Sequence, residues 1–212
     1  MTGKRSIRRI FFAFLALAVS IAPLLSSCAS KMTDEEARAI LTELVPKSQK
    51  LNVIFWGEGL PITEDAAPAV ESVSGAQYRE VSERSEFQSI AEIKAYAETV
   101  FSSDYLTTVY ASAFGEYDAE DIEMPKETLA ENNYAVSFDA RYTEKDGVLF
   151  ADMTYKSYEL GTEIFPETAV VKKSGVGVVV CLVDCTVGGE KTTMNVTLCQ
   201  QGEKWLLDSP TY

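Results

Sequence analysis

The chain has 212 residues, with 32 acidic and 19 basic side chains, a formal net charge of −13 and no histidine. The lack of histidine excludes Ser-His-Asp and Cys-His catalysis from within the chain, and it disfavours an ordinary zinc site. An acidic protein is repelled by nucleic acid, so we expect no nucleic-acid partner. The sequence carries no glycine-rich phosphate loop or calcium-loop pattern, and we expect no cofactor.

The first 27 residues have the order of a secretory signal. Four basic residues within 4–9 precede an apolar run over 10–25, which is short for a membrane span. The following Leu25-Ser26-Ser27-Cys28 resembles a bacterial lipobox. This resemblance implies that Cys28 is acylated, becomes residue one and anchors the protein on the extracytoplasmic face of the cell membrane. The alternative is an ordinary signal that ends at a coincidental cysteine.

The part after the signal is predicted to be a short lipid-anchored tether over 28–32 and one domain over 33–212. All four signal charges are basic, so these 185 residues carry 15 basic and 32 acidic side chains, a net charge of −17. Such a domain cannot hold an anionic bilayer electrostatically, so the lipid on Cys28 must supply the anchor. The charge favours a basic partner, and solubility alone is the other interpretation.

The first half of the domain, 33–115, has helical periodicity. Thr33 and Glu36 form a capping-box pattern before a helix that we expect to end near Trp56-Gly57, with a kink or break at Pro46. Two more helices are predicted, one after Ser89 and one from about Ser103.

The second half, 134–212, has the alternation of β-strands. Lys145-Asp146-Gly147 is a hairpin-turn pattern, and a slip in the alternation near Lys156 predicts a bulge. The fold class is therefore α+β, with N-terminal helices packed on a curved, cone-like antiparallel sheet of five to six strands. The predicted strands are 134–142, 148–160, 167–173, 176–187, 192–200 and 204–208.

Three cysteines follow the signal, and an odd number fits no complete disulfide framework. Cys181 and Cys185 share one face of a strand, and Cys199 could lie opposite Cys181. We predict free thiols that fill the core, because unpaired cysteine behaves as a small hydrophobic residue.

Two segments are candidates for a partner-binding surface. One is the end of the first helix, where glycines could expose an aromatic side chain; the alternative is a core aromatic beside a glycine C-cap. The other is the acidic segment 115–133; the alternative is a solvated face. The candidate residues are Trp56, Glu58, Leu60, Glu116, Asp118, Glu120, Asp121 and Glu123.

Five blocks of apolar and aromatic residues, in this order, resemble the IseA-type DL-endopeptidase inhibitor family. The resemblance implies a non-enzymatic protein that binds and inhibits a cell-wall endopeptidase. A looser resemblance to nuclear transport factor two-like, cystatin-like folds leaves an alternative. The domain would then be a cone that binds a small ligand, or an enzyme with an acidic residue at the opening of the cone. The blocks are Asn52 to Pro61, Tyr78 to Val81, Phe87 to Lys94, Val100 to Leu106 and Trp205 to Tyr212.

Overall fold

The computed structural model describes residues 31–64, 70–71, 75–116, 140–158 and 160–212. The signal segment with Cys28 lies outside the described residues. So do Asp118, Glu120, Asp121 and Glu123 of the acidic segment, together with most of the predicted strand 134–142.

Helix α1 (Asp34–Phe55) begins at the predicted capping box. The Thr33 side chain accepts from the Glu36 backbone N–H, and the Glu36 carboxylate accepts from the Thr33 N–H at 2.7 Å. A break at Pro46 is wrong, because α1 runs through that residue, while the alternative of a kink near Val45 stays a prediction. Its apolar face is buried in the core, and this packing outweighs the one hydrogen bond that proline removes. Among the described helices, none is long and apolar enough to cross a bilayer.

Helices α2 (Ile90–Ala97) and α3 (Ser103–Phe114) confirm the other two helical predictions. The Ser89 side chain caps α2 by accepting from the Glu92 N–H at 3.1 Å. Gly115 ends α3 in the left-handed conformation, at φ 69°.

The first sheet contains the strands β1 (Val70–Glu71), β2 (Gln77–Glu80), β3 (Tyr142–Lys145) and β4 (Val148–Asp152). They lie in the order β1-β2-β4-β3, and all neighbouring strands are antiparallel. Its β3–β4 hairpin turns at Asp146 and Gly147, which have φ values of 53° and 80°. Positive φ at both central residues is the type I′ geometry, so the predicted turn is confirmed.

The second sheet is an antiparallel meander in chain order, and α1 packs on its buried face. Arg38 Nε donates to the Ala169 carbonyl at 3.0 Å, and the Asp34 carboxylate accepts from the Val171 N–H at 2.8 Å. These bonds tie the start of α1 to the outermost strand of the sheet. The strands are β5 (Thr162–Ser174), β6 (Val178–Val187), β7 (Glu190–Gln201) and β8 (Lys204–Leu207).

The α+β class with antiparallel strands is confirmed, but the described strands form two sheets where one of five to six strands was predicted. The predicted strand 148–160 ends at Asp152, and the predicted bulge at Lys156 is wrong because that residue lies outside any strand. Asp152 Oδ1 accepts from the N–H and the hydroxyl of Thr154, each at 2.8 Å. This side-chain turn competes with strand pairing and ends β4.

The three cysteines are free, as predicted. Cys181 and Cys185 are buried on one face of β6, and Cys199 is half-buried. The suggested alignment of Cys199 with Cys181 is wrong, because Cys199 pairs across the strands with Val178 and Cys181 with Val196.

The C-terminal residues are anchored on α1 through a buried polar chain. Asn52 Nδ2 donates to Thr211 Oγ1 at 2.9 Å, and Thr211 Oγ1 lies 2.9 Å from Ser48 Oγ. Every member of this chain is buried, so the hydrogen bonds fix the path of the last residues. Tyr212 is thereby placed beside Trp56 at the end of α1.

Candidate functional site

The end of α1 is held by two side chains from the start of β3. Arg141 donates from Nη1 to the Phe55 carbonyl at 2.9 Å and from Nη2 to the Gly57 carbonyl at 2.6 Å. The Tyr142 hydroxyl donates to the Ile54 carbonyl at 2.8 Å and accepts from the Leu60 N–H at 3.1 Å. A cation at this position satisfies carbonyls that the helix leaves unpaired and opposes the negative end of the helix dipole.

Gly59 is required by this arrangement. It has φ +85°, and a Cβ there would lie 2.6 Å from Arg141 Nη2 and 3.0 Å from the Tyr142 hydroxyl. Gly57 is close-packed as well, since a Cβ would lie 3.0 Å from Val53 Cα. The glycines therefore allow the chain to pass over Arg141 and Tyr142, which is a structural role beyond ending the helix.

Arg141 is buried, with 4% of its surface exposed. Its guanidinium lies over the ring of Tyr155, with the central carbon 4.3 Å from the ring centroid. Among the described residues, no carboxylate lies within ion-pair distance of it. Two backbone carbonyls and an aromatic face thus stabilise a positive charge that a buried acid would normally balance.

Tyr142 stays protonated in this environment, because burial raises the pKa of its hydroxyl. The neutral hydroxyl can donate and accept at once, as its bonds to Ile54 and Leu60 require.

Aromatic side chains stand on the surface around the end of α1. The Trp56 ring is 5.7 Å from the Tyr212 ring, and the Trp56 carbonyl accepts from the Tyr158 N–H at 2.8 Å. Trp56 is half-buried, whereas Tyr158 is 63% and Tyr212 is 42% exposed. We call Trp56, Tyr158 and Tyr212 the aromatic rim. Both interpretations of Trp56 thus hold in part, since it contacts the core and reaches the surface.

A cavity of about 460 Å³ opens beside the aromatic rim. Glu58 is exposed at this cavity, whereas Leu60 is buried in the core and lines the cavity from inside. The other lining residues come from the same loop, β3, β4 and the segment after it. They are Gly57, Gly59, Pro61, Ile62, Arg141, Tyr142, Ala151, Asp152, Met153, Tyr155 and Ser157.

Glu116 lies at the base of the acidic segment, and it is paired. Its carboxylate forms a salt bridge with the Lys94 ammonium, which also lies over the rings of Tyr110 and Phe114. Glu116 is therefore engaged within the molecule and is a weaker candidate for a partner contact than its position in the acidic run suggested.

The described residues on both sides of the segment 117–139 lie close to the end of α1. On one side, the Phe114 ring is 6.2 Å from the Phe55 ring and 6.4 Å from the Tyr142 ring. On the other side, Ala140 is followed by Arg141, which is bonded to Phe55. Phe114 and Arg141, which flank the segment with the candidate acids, therefore both contact the last residue of α1.

Sequence reasoning missed Arg141, Tyr155, Tyr158 and Tyr212. Arg141 occupies a polar position in an alternating strand pattern, which predicts exposure, and its burial depends on α1, 86 residues away in sequence. The glycines at 57 and 59 were the one sequence feature that indicated close packing at this site, because glycine is used where a backbone passes close to another group.

Among the described residues, no group of three or more side chains could hold a metal ion. No protein-family model matches the chain, and no curated protein sequence matches it significantly.

Proposed function

We propose that this chain is an extracytoplasmic lipoprotein, anchored through Cys28, that binds and restrains a peptidoglycan DL-endopeptidase. The resemblance of the five aromatic and apolar blocks to the IseA-type inhibitor family suggests the target. The aromatic rim is the structural observation on which the binding part of the proposal depends. A cone-like, curved sheet is also part of the proposal, and it rests on the looser resemblance to nuclear transport factor two-like, cystatin-like folds.

The rim has the composition of a protein-binding surface. Trp and Tyr dominate binding hot spots, and Met is also enriched in interfaces. Tyr158 and Tyr212 are both more than 40% exposed beside the half-buried Trp56, and Met153, also more than 40% exposed, lines the adjoining cavity. A Tyr side chain supplies a large contact area at a small cost in conformational entropy, so this cluster suits tight contact with a folded partner.

The electrostatics favour a basic partner face. Helices α1 and α3 both end at this site, and neither has a basic residue in its last turn. The α3 dipole adds negative potential to that of the acidic segment that follows it in sequence, whereas the α1 dipole is opposed by Arg141. Such a field raises the association rate, while the rim determines the dissociation rate.

Binding alone would be enough to restrain the endopeptidase. An inhibitor that covers a peptidase cleft excludes the peptidoglycan substrate in proportion to the fraction of enzyme bound. This mechanism needs no catalytic group from the inhibitor, which suits a chain without histidine.

The cavity favours a second candidate function, a small-ligand-binding or enzymatic domain of the nuclear transport factor two-like type. An acid–base mechanism would need a buried carboxylate with a raised pKa. Every aspartate and glutamate whose burial the structure describes is at least partly exposed, and the buried charge beside the cavity is Arg141. The cavity therefore supports ligand binding better than acid–base catalysis.

Charge reversal tests the proposed role of the acidic segment. The variant reverses Asp118, Glu120, Asp121 and Glu123 to Lys, while Glu116 is kept because it pairs with Lys94. The control reverses four exposed acids on the second sheet, Glu163, Glu167, Asp184 and Glu190, and so has the same net charge. Association with a purified DL-endopeptidase should slow and lose its salt dependence much more in the first variant. Equal rates in the two variants would contradict the local role of the segment.

A further inference from the structure

We propose that the cavity beside the aromatic rim binds a diamino monocarboxylic acid of the lysine type, either free or as the last residue of a peptide. This site adjoins the protein-binding surface and shares Glu58 with the candidates for that surface, but Arg141 and Asp152 line the cavity and are not part of the aromatic rim. The inference goes beyond the proposed function and does not depend on it.

Arg141 supplies the anion-binding group. Two of its five N–H groups are donated to the carbonyls of Phe55 and Gly57, and the guanidinium lines the cavity. Its position is fixed by those bonds and by the Tyr155 ring. A fixed guanidinium in a low-dielectric site pairs well with a carboxylate, and no described acid occupies that position.

Two carboxylates in the same cavity supply the groups that bind amines. Glu58 is exposed and Asp152 is half-buried, and no described lysine or arginine forms an ion pair with either. Asp152 accepts three hydrogen bonds, all on Oδ1, from the Gln77 N–H and from the N–H and hydroxyl of Thr154. Its Oδ2 accepts none within the described part of the chain.

The charge pattern selects the ligand class. One guanidinium and two carboxylates are complemented by one carboxylate and two ammonium groups, which is the charge set of free lysine. A lysine that ends a peptide keeps the carboxylate and the side-chain ammonium, and its amide N–H can donate to the second acid in place of the α-ammonium. A phosphate or dicarboxylate would meet repulsion from Glu58 and Asp152.

The remaining lining suits an alkyl chain between those charges. Ile62, Ala151 and Met153 offer apolar surface between the loop and β4, where a methylene stem can pack while its ammonium reaches an acid. The volume of about 460 Å³ holds one amino-acid residue with ordered water or the end of a short peptide.

The test is binding to the full chain in detergent micelles, followed by calorimetry and by the melting temperature, with no peptidase present. L-lysine should bind saturably and raise the melting temperature. L-norleucine lacks the side-chain amine, L-lysinamide lacks the carboxylate, and each should bind at least about tenfold more weakly. Gly-Gly-Lys and its C-terminal amide then tell the two sources apart: tighter binding of the free-acid tripeptide than of L-lysine assigns the site to a peptide end.

Substitutions in the cavity lining test whether the ligand binds there. Asp152→Asn and Arg141→Lys should each weaken L-lysine binding about tenfold or more, whereas Glu83→Gln, at an exposed position away from the lining, should not. The proposal is overturned if neither L-lysine nor Gly-Gly-Lys binds the wild-type chain saturably. Binding of L-norleucine or L-lysinamide as tight as that of L-lysine would also overturn it.

Discussion

The Arg141 guanidinium donates a hydrogen bond of 2.9 Å to the Phe55 carbonyl, across 86 residues of sequence. This bond joins the end of the long helix α1 to the residue that precedes β3. The candidate residues at the end of α1 are therefore fixed next to the start of β3, which follows the acidic segment in sequence.

Replacing Arg141 with Met should destabilise the fold by about 2–4 kcal/mol, because two bonds from a charged donor are lost and buried carbonyls are left unpaired. Arg84→Met is the control, since Arg84 is exposed, and it should cost about 0.5 kcal/mol or less. Urea unfolding measures both. Equal midpoints for the two variants would contradict the role assigned to Arg141.

Gly59→Ala and Gly202→Ala separate backbone strain from close packing. Both glycines have positive φ, +85° and +64°, and nothing lies within 4 Å of a Cβ at Gly202. Gly202→Ala should cost about 1–2 kcal/mol from the left-handed conformation alone. Gly59→Ala should cost about 1–3 kcal/mol more, because its Cβ would overlap the Arg141 guanidinium. The difference is read from the free energies of unfolding in urea, and a difference near zero would show that Arg141 moves aside freely.

Stability should fall at alkaline pH. Burial raises the pKa of Tyr105 and Tyr110 and raises the pKa of the Cys181 thiol to about 11. The unfolded chain loses these protons first, so the stabilisation is complete below about pH 8.5 and is lost as the pH rises through the native values. Urea unfolding between pH 7 and pH 11 should show this decline, and a flat profile would contradict it.

The two buried thiols, those of Cys181 and Cys185, should be unreactive in the folded protein. Cys181 and Cys185 are buried and free, whereas Cys199 is half-buried. Iodoacetamide should therefore modify Cys199 first, and a reductant should leave the melting temperature unchanged because no disulfide is needed for folding. Mass spectrometry of unreduced protein that found a quantitative Cys181–Cys199 bridge would overturn this prediction.

Cys28→Ala tests the proposed anchor. The variant should leave the membrane fraction or remain an uncleaved precursor, because it has no thiol to acylate. Fractionation and palmitate labelling of the wild type and the variant measure this directly. Equal labelling and equal membrane content would show that Cys28 is not the lipid attachment site.

Local features of the fold could be predicted from sequence, because their causes are local. The capping box at Thr33, the cap at Ser89 and the turn at Asp146-Gly147 all involve residues within four positions of one another. The end of β4 could not be predicted in the same way. The side-chain turn of Asp152 competes there with a strand pattern that continues in the sequence.

The candidate site was predictable only in part, because its geometry depends on contacts far apart in sequence. Trp56 and Glu58 were found from the aromatic and glycine pattern. Tyr212 reaches Trp56 only because Thr211 is bonded to α1, a contact across 159 residues. Arg141 was missed because strand alternation predicts an exposed side chain at its position.

The most direct test of the central claim is a titration of peptidoglycan DL-endopeptidase activity with this protein and two variants. The wild type should inhibit in a saturable manner. Tyr158→Ala should weaken inhibition at least about tenfold without changing the melting temperature, because a hot-spot tyrosine contributes about 2 kcal/mol or more. Val176→Ala removes a side chain that is 93% exposed outside the rim, and it should inhibit like the wild type. Absence of inhibition by the wild type across a panel of such peptidases, or unchanged inhibition by Tyr158→Ala, would contradict the account.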